Sequence, residues 1–426
     1  MLPVAFRFVT KCGRSTSRRY HDQSKHSAFI VNIFDRAKYK ELTAIGRAQV
    51  LASLSSSLKP VDYDDFTKEL QLFFSKNVHG IDISMLLRTD VLKAIKAGDK
   101  LDKEKYDINL LNALDRSLQH YLSIFFCVNA LVLRRITFEN SSGVVLEKIA
   151  SGELVHKFKH IADLKHRLKN GKRCYALFHN SFPEQPLAFI HIALTNTLES
   201  SLRSIYATDT ELSSPTHAIF YSVSSPYQSL SGLDLASYLI KVAVMELKER
   251  HPSIQTFSTL SPIPDFMKWC GRMLKEGTLP FKIPSRCKKP LVNISAVDIE
   301  AKTDFEVIKY VYDIVNPINS DLLWITDKNT VESIYEIVMF LVARYLCCEK
   351  ISSKFPVDPV ARFHCRNGAQ IHRLNWLANP NASGLVGSAG LMVNYLYDLD
   401  EIDKRKKAFA LNCELSVSDV VAKHLD

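Results

Sequence analysis

The fold of this chain is decided by the stretch RCYALFHNSFPEQPLAFIHIAL, residues 173–194. It reads as two β-strands, Arg173–His179 and Leu187–Leu194, joined by a turn that contains Pro183 and Pro186. The pattern continues with a strand at His217–Ser222, an amphipathic helix at Leu233–Arg250 and a strand at Ile254–Leu260. A strand hairpin followed by strand, helix and strand predicts an α/β or α+β domain built on a mixed sheet.

The region before this domain has a helical pattern instead. Apolar residues at helical spacing predict helices at Asp62–Ser75, Ser84–Ala97 and Ile108–Leu133. The long apolar run Tyr121–Leu133 is shorter than the roughly 20 residues that a membrane helix needs, so we interpret it as a buried helix. These patterns predict a helical domain over 27–131 and a mixed α/β domain over 132–426.

The C-terminal third shows one well-marked short helix. Asp358 followed by Pro359 is typical of a helix start, with Asp as the N-cap and Pro at the first helical position. Asn367-Gly368 predicts the end of that helix, and a strand is predicted at Ala369–Leu377.

Charge points to a targeting segment at the N-terminus. The chain has 426 residues and a formal net charge of +10, and residues 1–26 are rich in Arg and Ser, with no acid before Asp22. This composition is typical of a mitochondrial targeting segment, although a disordered basic tail has a similar composition. The remaining positive charge suits nucleic acid, an anionic membrane surface or a polyanionic small molecule equally well.

Cysteine and histidine spacing gives no sign of a metal or a disulfide framework. The nine cysteines form no CxxC pair, and the histidines form no HExxH or similar ligand pattern. We therefore expect no metal and no disulfide scaffold.

Three features are candidates for chemistry, and each also has an ordinary structural explanation. The loop Ser224–Gly232 lies between a strand and a long helix, where backbone N–H groups can bind phosphate, but such loops are also common connectors. Ser261 ends a strand at the sheet edge where α/β proteins usually bind ligands. His364 lies on the short helix after Asp358, where a lone histidine is more often structural than catalytic.

Longer strings carry a resemblance to a known family. They are FFSKNVHGIDISMLLRTDVL from Phe73, LRRITFENSSGVVLEKI from Leu133, SGLDLASYLIK from Ser231, FSTLSPIPDFMKW from Phe257, DPVARFHCRNGAQIHRLNWLA from Asp358 and GSAGLMVNYLYDL from Gly387. In these strings the chain resembles the malonyl-CoA decarboxylase family over nearly all its length after residue 26.

The resemblance implies an α+β protein with a helical N-terminal domain that organises a homotetramer, followed by a catalytic domain similar to the GNAT acyltransferases. It implies conversion of malonyl-CoA to acetyl-CoA and carbon dioxide without a cofactor, which regulates the malonyl-CoA level in fatty acid metabolism. The basic segment 1–26 predicts a location in the mitochondrial matrix. The C-terminal residues 422–426 lack the Ser-Lys-Leu ending that directs some relatives to peroxisomes. Nucleic acid and stable membrane insertion are not expected.

The resemblance also implies the site residues. Ser261 matches the family's active-site serine, His364 its catalytic histidine and Tyr397 a further active-site tyrosine. Asp234 stands where the family commonly has glutamate, and it is expected to orient Ser261 or His364. The implied substrate-binding residues are Ser231, Gly232, Leu233, Asp234, Leu235, Ala236 and Ser237 for the CoA end, together with Ser261 and His364.

Loss of carbon dioxide from malonyl-CoA leaves a thioester enolate, so such a site must stabilise negative charge on the thioester oxygen and protonate the α-carbon. His364 is expected to donate toward the enolate, and Ser261 to bind the substrate carboxylate or take part in proton transfer. Two other functions stay open from the residues: a GNAT-like acyltransferase that needs an amine acceptor and a general base, and a catalytically silent acyl-CoA sensor.

Overall fold

The computed structural model describes residues 38–57, 81–97, 107–169, 171–207, 211–277, 279–294, 298–316, 323–352 and 354–426. The predicted targeting segment 1–26 and the predicted helix Asp62–Ser75 lie outside these residues. The chain forms two compact units. The first contains the residues up to Val132 together with Phe178–Pro183 and Ser225–Leu235, and the second contains Leu133–Leu177, Glu184–Ser224 and Ala236–Asp426. The sequence did not predict that the two short segments join the first unit.

The first unit is helical. Its described helices are α1 (Lys38–Glu41), α2 (Ala44–Ser57), α3 (Ile81–Ala97) and α4 (Ile108–Phe125). Asp107 begins α4, and its side chain accepts a hydrogen bond from the Asn109 N–H at 2.8 Å. The core of this unit consists of Tyr39, Leu51, Ile83, Leu87, Val91, Leu110, Leu111, Leu114 and Leu118. Each fully buried leucine contributes about 2 kcal/mol, so packing rather than helix propensity stabilises the unit.

The predicted buried helix over Tyr121–Leu133 is confirmed as far as Phe125 and is wrong beyond it. Helix α4 ends at Phe125, a short 3₁₀ turn follows at Val128–Ala130, and the first strand, β1 (Leu131–Ile136), begins within the predicted helix. Ile124 and Val128 are 62% and 51% exposed. The reason lies in the residue types, because the later part of the run contains β-branched valines that favour an extended backbone.

The second unit is built on a mixed sheet. The remaining strands of that sheet are β2 (Lys172–His179), β3 (Ala188–Thr195), β4 (His217–Ser224), β5 (Thr256–Thr259), β6 (Ser261–Pro262), β9 (Gln370–Asn375) and β10 (Met392–Tyr397). Between β6 and β9 the chain also forms a separate two-stranded pair, β7 (Lys350–Ile351) with β8 (Phe355–Pro356). The strand order is β1-β2-β3-β4-β5-β10-β6, and β9 also pairs with β10. Only β4 and β5 are parallel among the pairs whose register is described.

Helices accompany this sheet. They are α5 (Gly143–Gly152), α6 (Ile161–Arg167), α7 (Leu202–Ala207), α8 (Leu235–Arg250), α9 (Phe266–Glu276), α10 (Ser285–Lys288), α11 (Asp304–Val315), α12 (Lys328–Cys347), α13 (Pro359–Arg366), α14 (Ala382–Ser388), α15 (Ile402–Asn412) and α16 (Asp419–Ala422). Helix α8 connects β4 to β5, and such a connection is what allows two neighbouring strands to run parallel. The predicted α+β class is confirmed.

Strand β10 organises the part of the sheet that carries the candidate residues. Its first half pairs with β6, where Val393 lies opposite Ser261, and its second half pairs with β5, where Tyr397 lies opposite Phe257. Its other edge pairs with β9. The continuous segment that forms β5 and β6 therefore meets the distant strand β9 along β10. None of the described helices is long and apolar enough to span a membrane.

Candidate active site

Ser261 opens β6, two residues after Thr259, the last residue of β5. The Ser261 hydroxyl donates a hydrogen bond to Thr259 Oγ1 at 2.9 Å, and the backbone N–H of Tyr395 donates to the same oxygen at 3.1 Å. The Thr259 carbonyl accepts from the side-chain amide of Asn394 at 2.6 Å. Thr259 is thus fixed by β10 through both its hydroxyl and its carbonyl, and it fixes Ser261 in turn.

His364 is positioned by helix α13, which begins as the sequence predicted. Asp358 is the N-cap and accepts from the Ala361 N–H at 2.7 Å, and the Tyr345 hydroxyl donates to the same carboxyl group at 3.3 Å. Asp358 is fully buried, and this burial raises its pKa to about 6. The N-cap hydrogen bonds therefore anchor the helix that carries His364.

The end of α13 depends on a glycine. Gly368 has φ +84°, and a Cβ built there would lie 2.5 Å from the backbone oxygen of Ile402. Only glycine fits this position without a shift of the backbone. The predicted helix end at Asn367-Gly368 is confirmed.

The structure brings Ser261, His364 and Tyr397 into one hydrogen-bonded row. His364 Nε2 lies 3.2 Å from Ser261 Oγ, and His364 Nδ1 lies 2.7 Å from the Tyr397 hydroxyl. Because the Ser261 proton is directed at Thr259, Ser261 Oγ accepts from His364, which requires a proton on Nε2. Nδ1 then accepts from the Tyr397 hydroxyl, so each group donates to the next in the order Tyr397, His364, Ser261.

The row is buried and uncharged. Ser261, His364 and Tyr397 are 6%, 4% and 4% exposed. Burial lowers the pKa of His364 to about 3 and raises the pKa of Tyr397 above its usual value, so both are neutral at physiological pH. The ring of Tyr395 stacks on His364 with a centroid distance of 4.5 Å, which fixes the imidazole plane.

This geometry differs from a nucleophilic serine triad. In a triad a carboxylate faces the second histidine nitrogen and stabilises the imidazolium that forms when the serine loses its proton. Here the second nitrogen faces a neutral phenol, so removal of the Ser261 proton by His364 is not supported. The arrangement is suited instead to a polarised hydroxyl that donates to an oxygen with developing negative charge.

The predicted CoA-end residues lie around the start of α8. Ser231, Gly232, Leu233 and Asp234 form a loop in the first unit, Leu235 begins the helix, and Ala236 and Ser237 lie in its first turn. Among the residues that the structure describes, the buried Ser237 hydroxyl has no hydrogen-bond partner. The binding role of this segment stays a prediction.

Asp234 is not within the first helical turn, as the sequence-based helix over Leu233–Arg250 implied. It directly precedes α8, and its φ of +54° is in the left-handed region. A short polar side chain is among the few non-glycine types that adopt this region readily, which accounts for the later helix start. Its expected role in orienting Ser261 or His364 stays a prediction.

Sequence reasoning missed Thr259. The signal was present, because residues 259 and 261 are two apart in an extended segment and their side chains therefore point to the same face. The described residues contain no group of three or more His, Cys, Asp or Glu side chains placed to bind a metal ion.

Comparison with known proteins agrees with this fold. The fold and the site define a mixed α/β domain with a buried, neutral Ser–His–Tyr row. A family model, the malonyl-CoA decarboxylase C-terminal domain, matches residues 129–426. The chain is 34% identical over 310 residues to the mitochondrial malonyl-CoA decarboxylase of Anser anser anser, a match that covers 71% of this chain and 59% of that protein. The Mus musculus protein of the same name is 34% identical over 344 residues, covering 77% and 64%.

Solved structures give the same result. The crystal structure of malonyl-CoA decarboxylase from Agrobacterium vitis has a TM-score of 0.74 at 25% identity and covers 95% of this chain and 100% of that one. The corresponding structure from Rhodopseudomonas palustris has a TM-score of 0.71 at 26% identity and covers 97% of each chain. The chain belongs to the malonyl-CoA decarboxylase family. Its match spans about 60% of the length of the curated relatives.

Proposed function

We propose that this protein is a malonyl-CoA decarboxylase, a carboxy-lyase that converts malonyl-CoA to acetyl-CoA and carbon dioxide and so regulates the malonyl-CoA level in fatty acid metabolism. Family membership supports this activity. The observation that carries the proposal is the row Tyr397–His364–Ser261, because it holds a buried neutral hydroxyl that accepts from His364 and could donate its own proton to an oxygen with developing negative charge.

In the proposed reaction the bond between the α-carbon and the carboxylate carbon breaks. Carbon dioxide leaves, and the electron pair moves through the α-carbon onto the thioester oxygen, which gives an enolate. A proton added to the α-carbon then gives acetyl-CoA. The thioester itself accepts the electrons, so we expect no metal and no organic cofactor to be required.

The hydrogen bonds indicate a different role for each residue of the row. Both nitrogens of His364 are occupied, one by Ser261 and one by Tyr397, so direct donation from His364 to the enolate would require one of these bonds to break. The Ser261 hydroxyl can turn its proton from Thr259 Oγ1 to a substrate oxygen while it still accepts from His364, so Ser261 is the group proposed to contact the substrate. In this arrangement His364 increases the acidity of Ser261, and Tyr397 fixes the His364 tautomer. The segment Ser231–Ser237 is proposed to bind the CoA end, and Asp234 to orient the reacting groups.

The buried histidine also favours decarboxylation over acyl transfer. Transfer of an acyl group to an amine needs a general base with a pKa near the working pH. His364 has a pKa of about 3 and is a poor base at neutral pH. A hydrogen-bond donor to an enolate does not need a basic histidine.

Release of carbon dioxide from malonyl-CoA labelled at its free carboxyl group tests the function. The purified protein should release labelled carbon dioxide and form acetyl-CoA in equal amounts, with no amine added and in the presence of a chelator. Transfer of the malonyl group to an added amine, with no carbon dioxide released, would support the acyltransferase instead. No turnover under either condition would support the silent sensor.

Titration of His364 should cause no change in the kcat for decarboxylation between about pH 5 and pH 8. An ordinary histidine titrates near pH 6.5, whereas burial lowers the pKa of His364 to about 3, so the neutral ring persists across this range. The measurement is a kcat profile over the pH range in which the circular dichroism of the protein is constant. An acidic limb near pH 6.5 that disappears in His364→Gln would contradict the assignment.

A mitochondrial matrix location is proposed from the names of the relatives and from the basic residues 1–26. A fluorescent reporter fused behind these residues should enter mitochondria and lose the leader. Substitution of Arg14, Arg18 and Arg19 by glutamine should reduce import, and a reporter with the intact leader that remains cytosolic would contradict the proposal.

A homotetramer is also proposed. Light scattering of the protein as it elutes from a size-exclusion column would measure the mass of the assembly.

A further inference from the structure

A buried arginine in the first unit contacts the predicted CoA loop. Arg88 lies on α3 and is 2% exposed. Its Nη1 donates to the backbone carbonyls of Ser229 at 2.7 Å and Ser231 at 2.9 Å, and its Nε donates to Asp115 on α4 at 2.8 Å. One side chain therefore links two helices to the loop that precedes α8.

The loop also has a second polar contact with α4. Gln119 donates to the Gly232 carbonyl at 3.3 Å. Gly232 has φ +79°, and a Cβ built there would lie 2.5 Å from Gln119 Nε2. Asp234 is left-handed as well. Glycine and aspartate both tolerate this region, so the loop shape is accessible to these residues, and the bonds from Arg88 and Gln119 select it.

Arg88 fixes the direction of one peptide plane in particular. The described chain has no cis peptide bond, so a carbonyl and the N–H of the next residue point in opposite directions. Because Arg88 binds the Ser231 carbonyl, the Gly232 N–H points away from Arg88. An N–H held in this way at a loop before a helix is a suitable donor to a phosphate oxygen.

The burial of Arg88 is not explained by the fold alone. Removing a guanidinium from water is costly, and an apolar side chain of similar size would stabilise a helical core as well or better. The same unit contains a comparable arginine, Arg47, which pairs with Asp90 at 2.7 Å and donates to the Leu42 carbonyl at 2.8 Å. The bonds of Arg47 go to Asp90 on α3 and to Leu42 just before α2. Two of the three described bonds of Arg88 go instead to the loop that precedes α8.

We propose that Arg88 is a positioning residue for the CoA end of the substrate: it holds the loop 225–235 in the shape that binds CoA. This inference rests on the proposed function for the identity of the ligand. Arg88 acts through the loop and does not contact the reacting carbons, so its loss should affect the CoA part of the substrate and not the malonyl part.

The test compares Arg88→Met with Arg47→Met on two substrates, malonyl-CoA and the truncated malonyl-N-acetylcysteamine thioester. Arg88→Met should raise the KM for malonyl-CoA about ten- to hundredfold, the effect of losing one or two charged hydrogen bonds, with kcat nearly unchanged. Its kcat/KM for the truncated thioester should equal that of the wild type. Arg47→Met should leave kcat and KM unchanged for both substrates. An equal loss with both substrates would show a general structural role and overturn the proposal.

Calorimetric titration with CoA alone separates this inference from the proposed function. Arg88→Met should weaken CoA binding by the same factor as it raises KM, whatever the turnover. If Arg88→Met does not fold, Arg88→Lys and the milder Gln119→Ala replace it. Arg88→Lys should raise the Kd for CoA about tenfold, and Gln119→Ala about threefold. If the wild type binds CoA but releases no carbon dioxide, the decarboxylase is refuted, and weaker CoA binding by the Arg88 variants would still support the role of Arg88. Unchanged CoA binding in these variants would overturn that role.

Discussion

Replacing Ser261 by alanine should lower kcat for decarboxylation by about ten- to a thousandfold, with a small change in KM. The Ser261 hydroxyl accepts from His364, which accepts from Tyr397, and it is the group proposed to turn its proton from Thr259 to the enolate oxygen. A bond that strengthens only as charge develops lowers the barrier without tightening substrate binding. Steady-state kinetics with malonyl-CoA measure both constants.

Ser258→Ala is the matched control. Ser258 is likewise buried in the same sheet, and its hydroxyl donates to the Tyr395 carbonyl at 3.1 Å. Its loss should cost about 1 kcal/mol of the free energy of unfolding and leave kcat within about threefold of the wild type. A Ser261→Ala protein that folds, binds malonyl-CoA and turns over like Ser258→Ala would remove Ser261 from the mechanism.

The sequence predicted the strands and helices of this site but not that they lie next to each other in the fold. Strand and helix signals are local, so β4, the start of α13 and its end at Gly368 could be read from a short β-rich run, an N-cap and a glycine. The meeting of Ser261 with His364, 103 residues later, depends on how β10 pairs with β5 and β6. Such pairing is set by tertiary packing, which local patterns do not contain, and only the resemblance to a family named the two residues together.

The residues that sequence reasoning missed are those that act through backbone or through other side chains. Thr259 and Arg88 make their contacts with a hydroxyl and with loop carbonyls, and such partners leave no motif. Arg88 does carry a local signal, because it is a charged residue on α3 between Leu87 and Val91, which both face the core of the first unit. In the run Tyr121–Leu133 the predicted helix is correct up to Phe125, but hydrophobicity outweighed the β-branched valines that indicate an extended backbone after it.

Replacing His364 by asparagine should lower kcat about a hundredfold while malonyl-CoA still binds. Asparagine places its polar end near the position of Nδ1, where it can keep the contact with Tyr397 but cannot reach Ser261. Glutamine reaches the position of Nε2, so His364→Gln should retain about tenfold more activity than His364→Asn. His191 is a suitable control, since it is fully buried in the same unit with its pKa likewise lowered to about 3. His191→Gln should leave kcat nearly unchanged.

The double variant decides whether His364 acts through Ser261. If the histidine serves only to polarise the Ser261 hydroxyl, removing it after Ser261 is already alanine should cost almost nothing. Ser261→Ala/His364→Asn should then have the kcat of Ser261→Ala alone, far above the product of the two single losses. Independent contacts with the transition state would instead make the losses multiply. Multiplying losses would therefore show that His364 itself meets the substrate, and the row Tyr397–His364–Ser261 would have to open during the reaction.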